Sequence, residues 1–264
     1  MSVIAVASAK GAPGASITAA ALAALWPRPA AVLVDLDPAG GDVAWRARDP
    51  HGQPLDPDRG LLSLAAAARR GAAETPLADH LQETAFGFPV LAGVPTPEQL
   101  AGIGGVWSVL PEILAAHGST ADVIADCGRV TLGSPVLPVL SAADAVLLVV
   151  RPDVEGIAHL RNLLRALRRP LRLDEPGAQR VGVVVATSYR DTATVTDLQH
   201  LLQHEQLPAR VLGIVARDDK AARVLASSRS GRLGSSLLGR SARTLSAEIS
   251  SHLTGPSQLQ PGRS

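Results

Sequence analysis

The residues with the clearest chemical potential form a short loop near the amino terminus. The loop is rich in small residues, follows an apolar run at 3–8 and precedes an apolar segment at 16–26. Its members are Lys10, Gly11, Ala12, Pro13, Gly14, Ala15 and Ser16. A small-residue turn between a strand and a helix lets backbone N–H groups approach phosphate, and the helix amino terminus adds positive potential. The alternative is an ordinary turn, because the usual phosphate loop carries lysine where this chain has Ala15.

Three aspartates could complete a metal and nucleotide site with this loop. Asp35 ends the second apolar run, Asp37 follows two residues later, and Asp126 ends the fourth run. The carboxyl ends of parallel strands share one edge of a sheet, where open α/β proteins bind ligands. Ser16 is placed to cap the helix after the loop and to offer its hydroxyl to Mg²⁺. Together these groups indicate a Mg²⁺–nucleotide site, although any one aspartate could simply end its strand.

Short apolar runs alternate with longer helical patterns along the chain, as in βαβ units. Strands are predicted at 3–8, 30–35, 89–92, 121–126, 145–151, 180–186 and 210–215. Helices are predicted at 16–26, 97–117 and 154–169. Most strands are apolar throughout, which is typical of a parallel sheet covered on both faces. The predicted fold is an α/β domain with a doubly wound, mostly parallel sheet flanked by helices; it spans residues 1–253, with a disordered tail at 254–264.

The composition argues against several classes of protein. With a net charge of +1 over 264 residues and 2% aromatic residues, the chain is unlike proteins that coat nucleic acid or stack on single strands. Its one cysteine, Cys127, rules out a disulfide framework and a cysteine zinc cage, and it suits the reducing cytoplasm. No apolar run reaches the roughly 20 residues that span a bilayer. Among 25 basic residues only Lys10 and Lys220 are lysine, which makes the loop lysine conspicuous.

Two other chemistries have little support in the sequence. His200 and His204 are four residues apart, which can bind zinc, but the glutamate of HExxH and a third ligand are missing. An exposed helix face explains this pair better. A dehydrogenase or reductase is disfavoured because no GxGxxG pattern with a downstream ribose-binding acid is present.

The order of the motifs resembles that of the MinD/ParA family of P-loop ATPases, a family that includes the CpaE-like pilus-localisation proteins. The family has a deviant Walker A motif, KGGxGK[ST]T, and residues 10–18 read KGAPGASIT. The segment DLDPAGGD, which starts at Asp35, is similar to the family's switch I segment. Residues 143–164 resemble the segment that follows the Walker B aspartate, and residues 211–225 resemble the late strand and nucleotide-base loop. The resemblance covers about residues 1–250.

The resemblance implies an ATP-binding, Mg²⁺-dependent protein that forms a nucleotide-dependent homodimer. Its catalytic residues would be Lys10, which in the family reaches across the dimer to the other subunit's nucleotide, and Asp37, which orients the attacking water. Asp126 matches the Walker B aspartate, and the ligands of Mg²⁺ would be Ser16, Asp37 and Asp126. The residues in contact with the nucleotide would be Lys10, Gly11, Ala12, Pro13, Gly14, Ala15, Ser16, Asp126, Thr187 and Asp218.

Four positions depart from the family pattern, so that the phosphate loop is eroded. Ala15 removes the lysine that contacts the β- and γ-phosphates, and Ala12 replaces a loop glycine. Thr187 stands where many relatives carry a base-reading asparagine, and Ala216 where proline is common. A hydrogen bond to a charged group contributes roughly 1.5–3 kcal/mol, so hydrolysis is expected to be weak. Either Lys10 now supplies most of the charge and binding depends on dimerisation, or the site is a degenerate scaffold.

The carboxyl-terminal end, residues 227–253, is basic and amphipathic. Its arginines are Arg229, Arg232, Arg240 and Arg243, and its apolar residues at helical spacing are Leu238, Ala242, Leu245, Ile249 and Leu253. Three interpretations stay open: a last helix packed on the sheet, nonspecific contact with DNA, or contact with a membrane surface.

The leading hypothesis is an ATP-dependent dimerising switch that positions a cellular machine. That machine could be a chromosome or plasmid under partition, a septum, or a pilus or secretion apparatus, and its protein component is not identified by the sequence. The expected location is the cytoplasm, with peripheral attachment to the inner face of the membrane or to the nucleoid as options. The competing hypothesis is a non-catalytic interaction scaffold with a degenerate nucleotide site.

Overall fold

Seven parallel strands form one sheet in the computed structural model, which describes residues 2–10, 14–27, 31–71, 75–175, 180–225 and 233–254. The strands are β1 Val3–Ser8, β2 Ala31–Asp35, β3 Val90–Leu91, β4 Asp122–Arg129, β5 Ala145–Val150, β6 Arg180–Thr187 and β7 Arg210–Ala216. Their order across the sheet is β3-β2-β4-β1-β5-β6-β7. The predicted α/β fold with a parallel, doubly wound sheet is confirmed.

Helices connect the strands within the described ranges. They are α1 Ala15–Ala24, α2 Val43–Arg46, α3 Leu61–Ala68, α4 Leu110–His117, α5 Leu137–Ala142, α6 Val154–Leu167, α7 Thr192–His204, α8 Asp219–Leu225 and α9 Leu237–Thr254. Two 3₁₀ segments, Leu77–His80 and Pro97–Ser108, add to them. The prediction of a single helix at 97–117 is wrong, because this segment forms the second 3₁₀ segment followed by α4. Gly102, Gly104 and Gly105 weaken an α-helix there, and Pro111 lacks the N–H that would continue one.

The sheet is covered on both faces, as its apolar strands require. One face packs against α1, α8 and α9, and the other against α3 to α7. Successive residues of β1 alternate between the two cores, with Ile4 and Val6 on the first and Val3, Ala5 and Ala7 on the second. This explains why the strand is apolar throughout rather than at every second residue.

Two central strands send their connections to opposite faces, which creates a crevice at the carboxyl edge of the sheet. β4 and β1 are neighbours; β1 continues into α1 on one face and β4 into α5 on the other. Such a switch point is where open α/β sheets bind ligands. The chain order therefore places the loop after β1 and the end of β4 in one crevice.

The last helix, α9, packs on the sheet. This agrees with the first of the three interpretations of the carboxyl-terminal end. Leu238, Ala242, Leu245 and Ile249 of α9 are buried in the same core as α1. Within the described residues, no helix combines the length and the apolar character needed to cross a membrane. Outside those residues lie Arg229, Arg232 and positions 255–264 of the predicted tail.

Candidate functional site

The loop after β1 enters α1 through Gly14, whose φ of 123° is readily adopted by glycine. The Thr18 hydroxyl donates a hydrogen bond to the Gly14 carbonyl at 2.7 Å. The helix begins at Ala15, which is buried, so Ser16 is the second helical residue and the prediction that it caps the helix is wrong. The helix starts earlier because glycine makes the preceding turn without strain. Outside the described residues lie Gly11, Ala12 and Pro13.

Asp126 occupies the centre of the crevice. In register it lies between Asp35 of β2 and Val6 of β1. Its buried carboxylate accepts a hydrogen bond from the Gly128 N–H at 3.1 Å, and the Ser16 hydroxyl lies close to it. Burial raises the pKa of Asp126 to about 6, although the Ser16 hydroxyl and the Gly128 N–H act in the opposite direction. A cation that binds here displaces a proton from part of the population near neutral pH.

Asp37 packs against the end of the same strand. Gly128 has a φ of 57°, and a methyl group built on it would overlap the Asp37 carboxyl group. The Ala39 N–H donates to Asp37 Oδ1 at 2.8 Å. Burial raises the pKa of Asp37, and the charge of Asp42 adds to that effect. The structure thus brings together in one crevice the three Mg²⁺ ligands suggested by the sequence, which are Ser16, Asp37 and Asp126.

Asp35 holds the loop that carries Asp37. Its oxygens accept hydrogen bonds from the N–H groups of Val43 at 3.1 Å and Asp37 at 3.3 Å. Gly41 and Gly93 enclose the carboxyl group, since a methyl group on either would come within 2.8 Å of it. Burial raises the pKa of Asp35 to about 8, and the neighbouring carboxylate on β4 contributes. Asp35 therefore positions the loop, while Asp37 faces the crevice.

Lys10 is exposed on the other side of the loop. It lines a shallow cavity of about 230 Å³ together with Arg129 and Leu132 at the end of β4 and His159 and Asn162 of α6. A lysine in this place can reach a group outside its own subunit. This position is compatible with the role that the resemblance implies, which stays a prediction.

The two residues expected near a nucleotide base lie at the ends of β6 and β7. Thr187 is buried and donates its hydroxyl to Asp191 at 2.7 Å, so its side chain is engaged at the start of α7. Asp218 accepts hydrogen bonds from the N–H groups of Ala221 at 3.0 Å and Leu237 at 3.2 Å. It thereby joins the starts of α8 and α9. Contact of either residue with a base remains a prediction.

A larger cavity, of about 340 Å³, opens beside Ser16. Its walls come from α1, α8 and the segment around α2, and Phe86 and Phe88 stack in it with centroids 5.6 Å apart. Arg46 and Arg223 line it from opposite helices. Arg46 was not identified from the sequence, and its position nine residues after Asp37 was the available signal.

Four large apolar side chains are exposed in segments that follow strands of the sheet. Trp45 is 61% exposed, Leu132 56%, Val154 81% and Leu237 39%. Trp45, Leu132 and Val154 follow the ends of β2, β4 and β5, and Leu237 is bonded to Asp218 just after β7.

The donor set of the crevice fits Mg²⁺. Hydroxyl and carboxylate oxygens are the ligands of this hard cation, which usually takes one or two carboxylates together with phosphate oxygens and water. The Ser16 hydroxyl lies close to the Asp126 carboxylate, so the two could share one cation. Across the described parts of the chain, no group of three or more His, Cys, Asp or Glu side chains is arranged to hold a metal.

Comparison with known proteins finds relatives in structure rather than in sequence. No family model matches the chain, and no curated protein matches it. A ParA family ATPase from Chlorobium tepidum TLS superposes with a TM-score of 0.70 at 18% identity, covering 93% of this chain and 98% of the other. The cell division ATPase MinD from Pyrococcus furiosus gives 0.67 at 19%, covering 94% and 98%.

The septum site-determining protein MinD from Pyrococcus horikoshii OT3, complexed with Mg-ADP, has a TM-score of 0.66 at 14% identity, covering 94% of this chain and 95% of that one. These matches extend over nearly the whole of each chain. The structural neighbours are ParA and MinD ATPases, and this chain has their fold.

Proposed function

We propose that the protein belongs to the MinD/ParA group and acts as a Mg²⁺–ATP-binding switch. The observation that carries the proposal is the convergence of Ser16, Asp37 and Asp126 beside a glycine-containing loop at the switch point of the sheet. Hydroxyl, carboxylates and loop amides are what a magnesium–polyphosphate complex needs. The Mg-ADP bound to the MinD from Pyrococcus horikoshii supports the same assignment.

Each group in the crevice has a distinct task in this proposal. The loop N–H groups and the start of α1 bind phosphate. Ser16, Asp126 and Asp37 would hold Mg²⁺, which would neutralise phosphate charge when bound. Asp37, held by the loop that Asp35 anchors, orients a water molecule toward the terminal phosphate. With Ala15 in place of lysine, we expect hydrolysis to be slow because less charge stabilises the transition state.

Dimer formation is the second part of the proposal. Trp45, Leu132 and Val154 are exposed in segments that follow β2, β4 and β5, and the exposed Lys10 shares a cavity with Leu132. A nucleotide bound between two such edges would join two copies, and Lys10 would complete the site of the other copy. A dimer of this kind could position a cellular machine, as partition and division proteins do; a solved complex pairs MinD with MinC in Aquifex aeolicus.

Binding and size measurements test these two parts. We expect fluorescent ATP to bind in a Mg²⁺-dependent manner, Asp126→Asn to reduce that dependence, and multi-angle light scattering to show a dimer only with Mg²⁺–ATP. Lys10→Ala should bind less tightly and remain monomeric. Absence of Mg²⁺-dependent binding in the wild-type protein would overturn the switch. Binding without dimerisation would favour the second candidate, a scaffold, for which the loss of the lysine at Ala15 is the supporting observation.

The carboxyl-terminal end offers a weaker surface for DNA or membrane. The apolar stripe of α9 is buried, the Arg240 guanidinium lies 5.0 Å from the Tyr189 ring, and Arg243 donates to the Gly234 carbonyl. We propose a cytoplasmic protein in which any DNA contact is made by these arginines. Salt-sensitive retention on DNA that is lost in an Arg240→Gln/Arg243→Gln variant would support this contact, and unchanged retention would exclude it.

A further inference from the structure

Given the nucleotide binding proposed above, on which this inference rests, we propose that Arg46 supplies the charge missing at Ala15. The usual phosphate loop places a lysine at the start of the helix, against the terminal phosphates. Ala15 occupies that place here, and its buried methyl group carries no charge. The last residue of α2 is an arginine that lines the cavity beside Ser16, the residue after Ala15.

Arg46 is held at the crevice by the carboxylate that also holds Asp37. α2 spans Val43–Arg46, and the Val43 N–H at its start donates to Asp35 Oδ2 at 3.1 Å. Ala44 and Ala47 are buried, so the backbone on both sides of Arg46 is packed against the core. The guanidinium therefore extends from a fixed backbone rather than from a free loop.

The side chain reaches the part of the crevice that Ser16 occupies. Arg46 and Ser16 line one continuous cavity of about 340 Å³. The guanidinium of Arg46 also lies close enough to Asp126 for its positive charge to act on that carboxylate. Lys10, by contrast, lines a different cavity on the α6 side of the loop. Of these two cations, Arg46 is the one that shares a cavity with Ser16.

The present partner of Arg46 can be exchanged for phosphate. Arg46 pairs with Asp42 one helical turn earlier, and the side chains are 49% and 59% exposed. Exposed pairs of this kind are weak because water screens both charges. A polyphosphate accepts a guanidinium through two parallel hydrogen bonds and carries more negative charge than one carboxylate. Bound nucleotide should therefore displace Asp42, and Asp42 competes with nucleotide for Arg46.

Affinities for ATP and AMP, measured by titration calorimetry with Mg²⁺, test this assignment. Arg46→Gln should weaken ATP binding at least tenfold, about 1.4 kcal/mol, while AMP, which lacks the outer phosphates, binds as before. Asp42→Asn should strengthen ATP binding because it removes the competitor. Arg223→Gln is the matched control: it removes an equal charge from the same cavity on the α8 side and should leave ATP affinity unchanged.

The outcomes separate this inference from the proposed function. Wild-type ATP affinity in Arg46→Gln, or an equal loss for ATP and AMP, would overturn the role of Arg46 and leave the nucleotide site in place. If the wild-type protein shows no Mg²⁺-dependent ATP binding, both fail. If Arg46→Gln folds poorly, Asp42→Asn still tests the proposal. An unchanged or weaker ATP affinity in Asp42→Asn also contradicts the proposal.

Discussion

Replacement of Gly128 by alanine should damage the crevice through Asp37. The new methyl group would overlap all three atoms of the Asp37 carboxyl group, well inside the roughly 3.5 Å at which heavy atoms touch, so Asp37 must withdraw by more than about 1 Å. The φ of 57° adds a backbone cost of about 1–2 kcal/mol for alanine. Overpacking adds about 1–3 kcal/mol. The free energy of unfolding should therefore fall by about 2–5 kcal/mol.

Two matched variants separate the backbone cost from the overlap. Gly133→Ala, in the loop after the same strand, meets no atom within 4 Å and should leave stability and Mg²⁺–ATP affinity nearly unchanged. In an Asp37→Ala background the overlapping atoms are gone, so Gly128→Ala should cost only the backbone part, about 1–2 kcal/mol. Urea unfolding gives the double-mutant cycle, and titration calorimetry gives the Mg²⁺–ATP affinity, which should drop at least tenfold in Gly128→Ala.

The cycle also defines the result that would refute this reasoning. If Gly128→Ala destabilises the protein equally with and without the Asp37 side chain, the two groups are not packed together. If Gly128→Ala binds Mg²⁺–ATP as the wild type does, the place of Asp37 beside Asp126 is irrelevant to the metal. Either outcome would remove Asp37 from the proposed site.

Three further predictions address the rest of the described structure. Trp26→Phe removes the buried indole N–H that donates to Asp122 at 2.7 Å, so the free energy of unfolding in urea should fall by about 1.5–3 kcal/mol. Trp45→Phe, at a residue that is 61% exposed, is the control and should change that free energy by less than about 0.5 kcal/mol. Because burial raises the pKa of Asp35 to about 8, the folded state holds a proton that the unfolded state has released between about pH 4 and 8. Stability without nucleotide should fall as pH rises through that window, and Asp35→Asn should flatten the slope; an unchanged slope would contradict the assignment. Burial also raises the pKa of the Cys127 thiol, so a disulfide reagent should modify it only as the protein unfolds, and rapid reaction in native buffer would contradict its burial.

The sheet was predictable because its strands are buried on both faces. β1 and β5 are continuous apolar runs, and their predicted positions match the structure to within one residue. β4 runs to Arg129, three residues beyond its predicted end, because its last residue pairs with Ser8 of β1. β3 has only two residues because it lies at the edge of the sheet. Neither difference can be read from apolar periodicity.

The aspartates of the crevice were predicted from the sequence, but Arg46 was not. Residues that follow the carboxyl ends of parallel strands lie at the ligand-binding edge of the sheet, so Asp37 and Asp126 could be found from the sequence. α2 forms because the Val43 N–H finds an acceptor in Asp35, eight residues earlier, and Arg46 is placed only as a consequence. No local pattern signals such a contact in a four-residue helix. The predicted start of α1, Ser16, is one residue too late, because Gly14 makes the turn and the helix begins at Ala15.

The enclosure of Asp35 limits how this sequence can drift over generations. A side chain at Gly41 or Gly93 would displace the carboxyl group, and a smaller residue at position 35 would leave the Val43 N–H without its acceptor. Each single substitution therefore harms the loop. A series of substitutions that leads to another functional set of residues at these positions must pass through a sequence with a damaged loop. The three positions form one epistatic unit, which can be inherited or lost together but is hard to rebuild one substitution at a time.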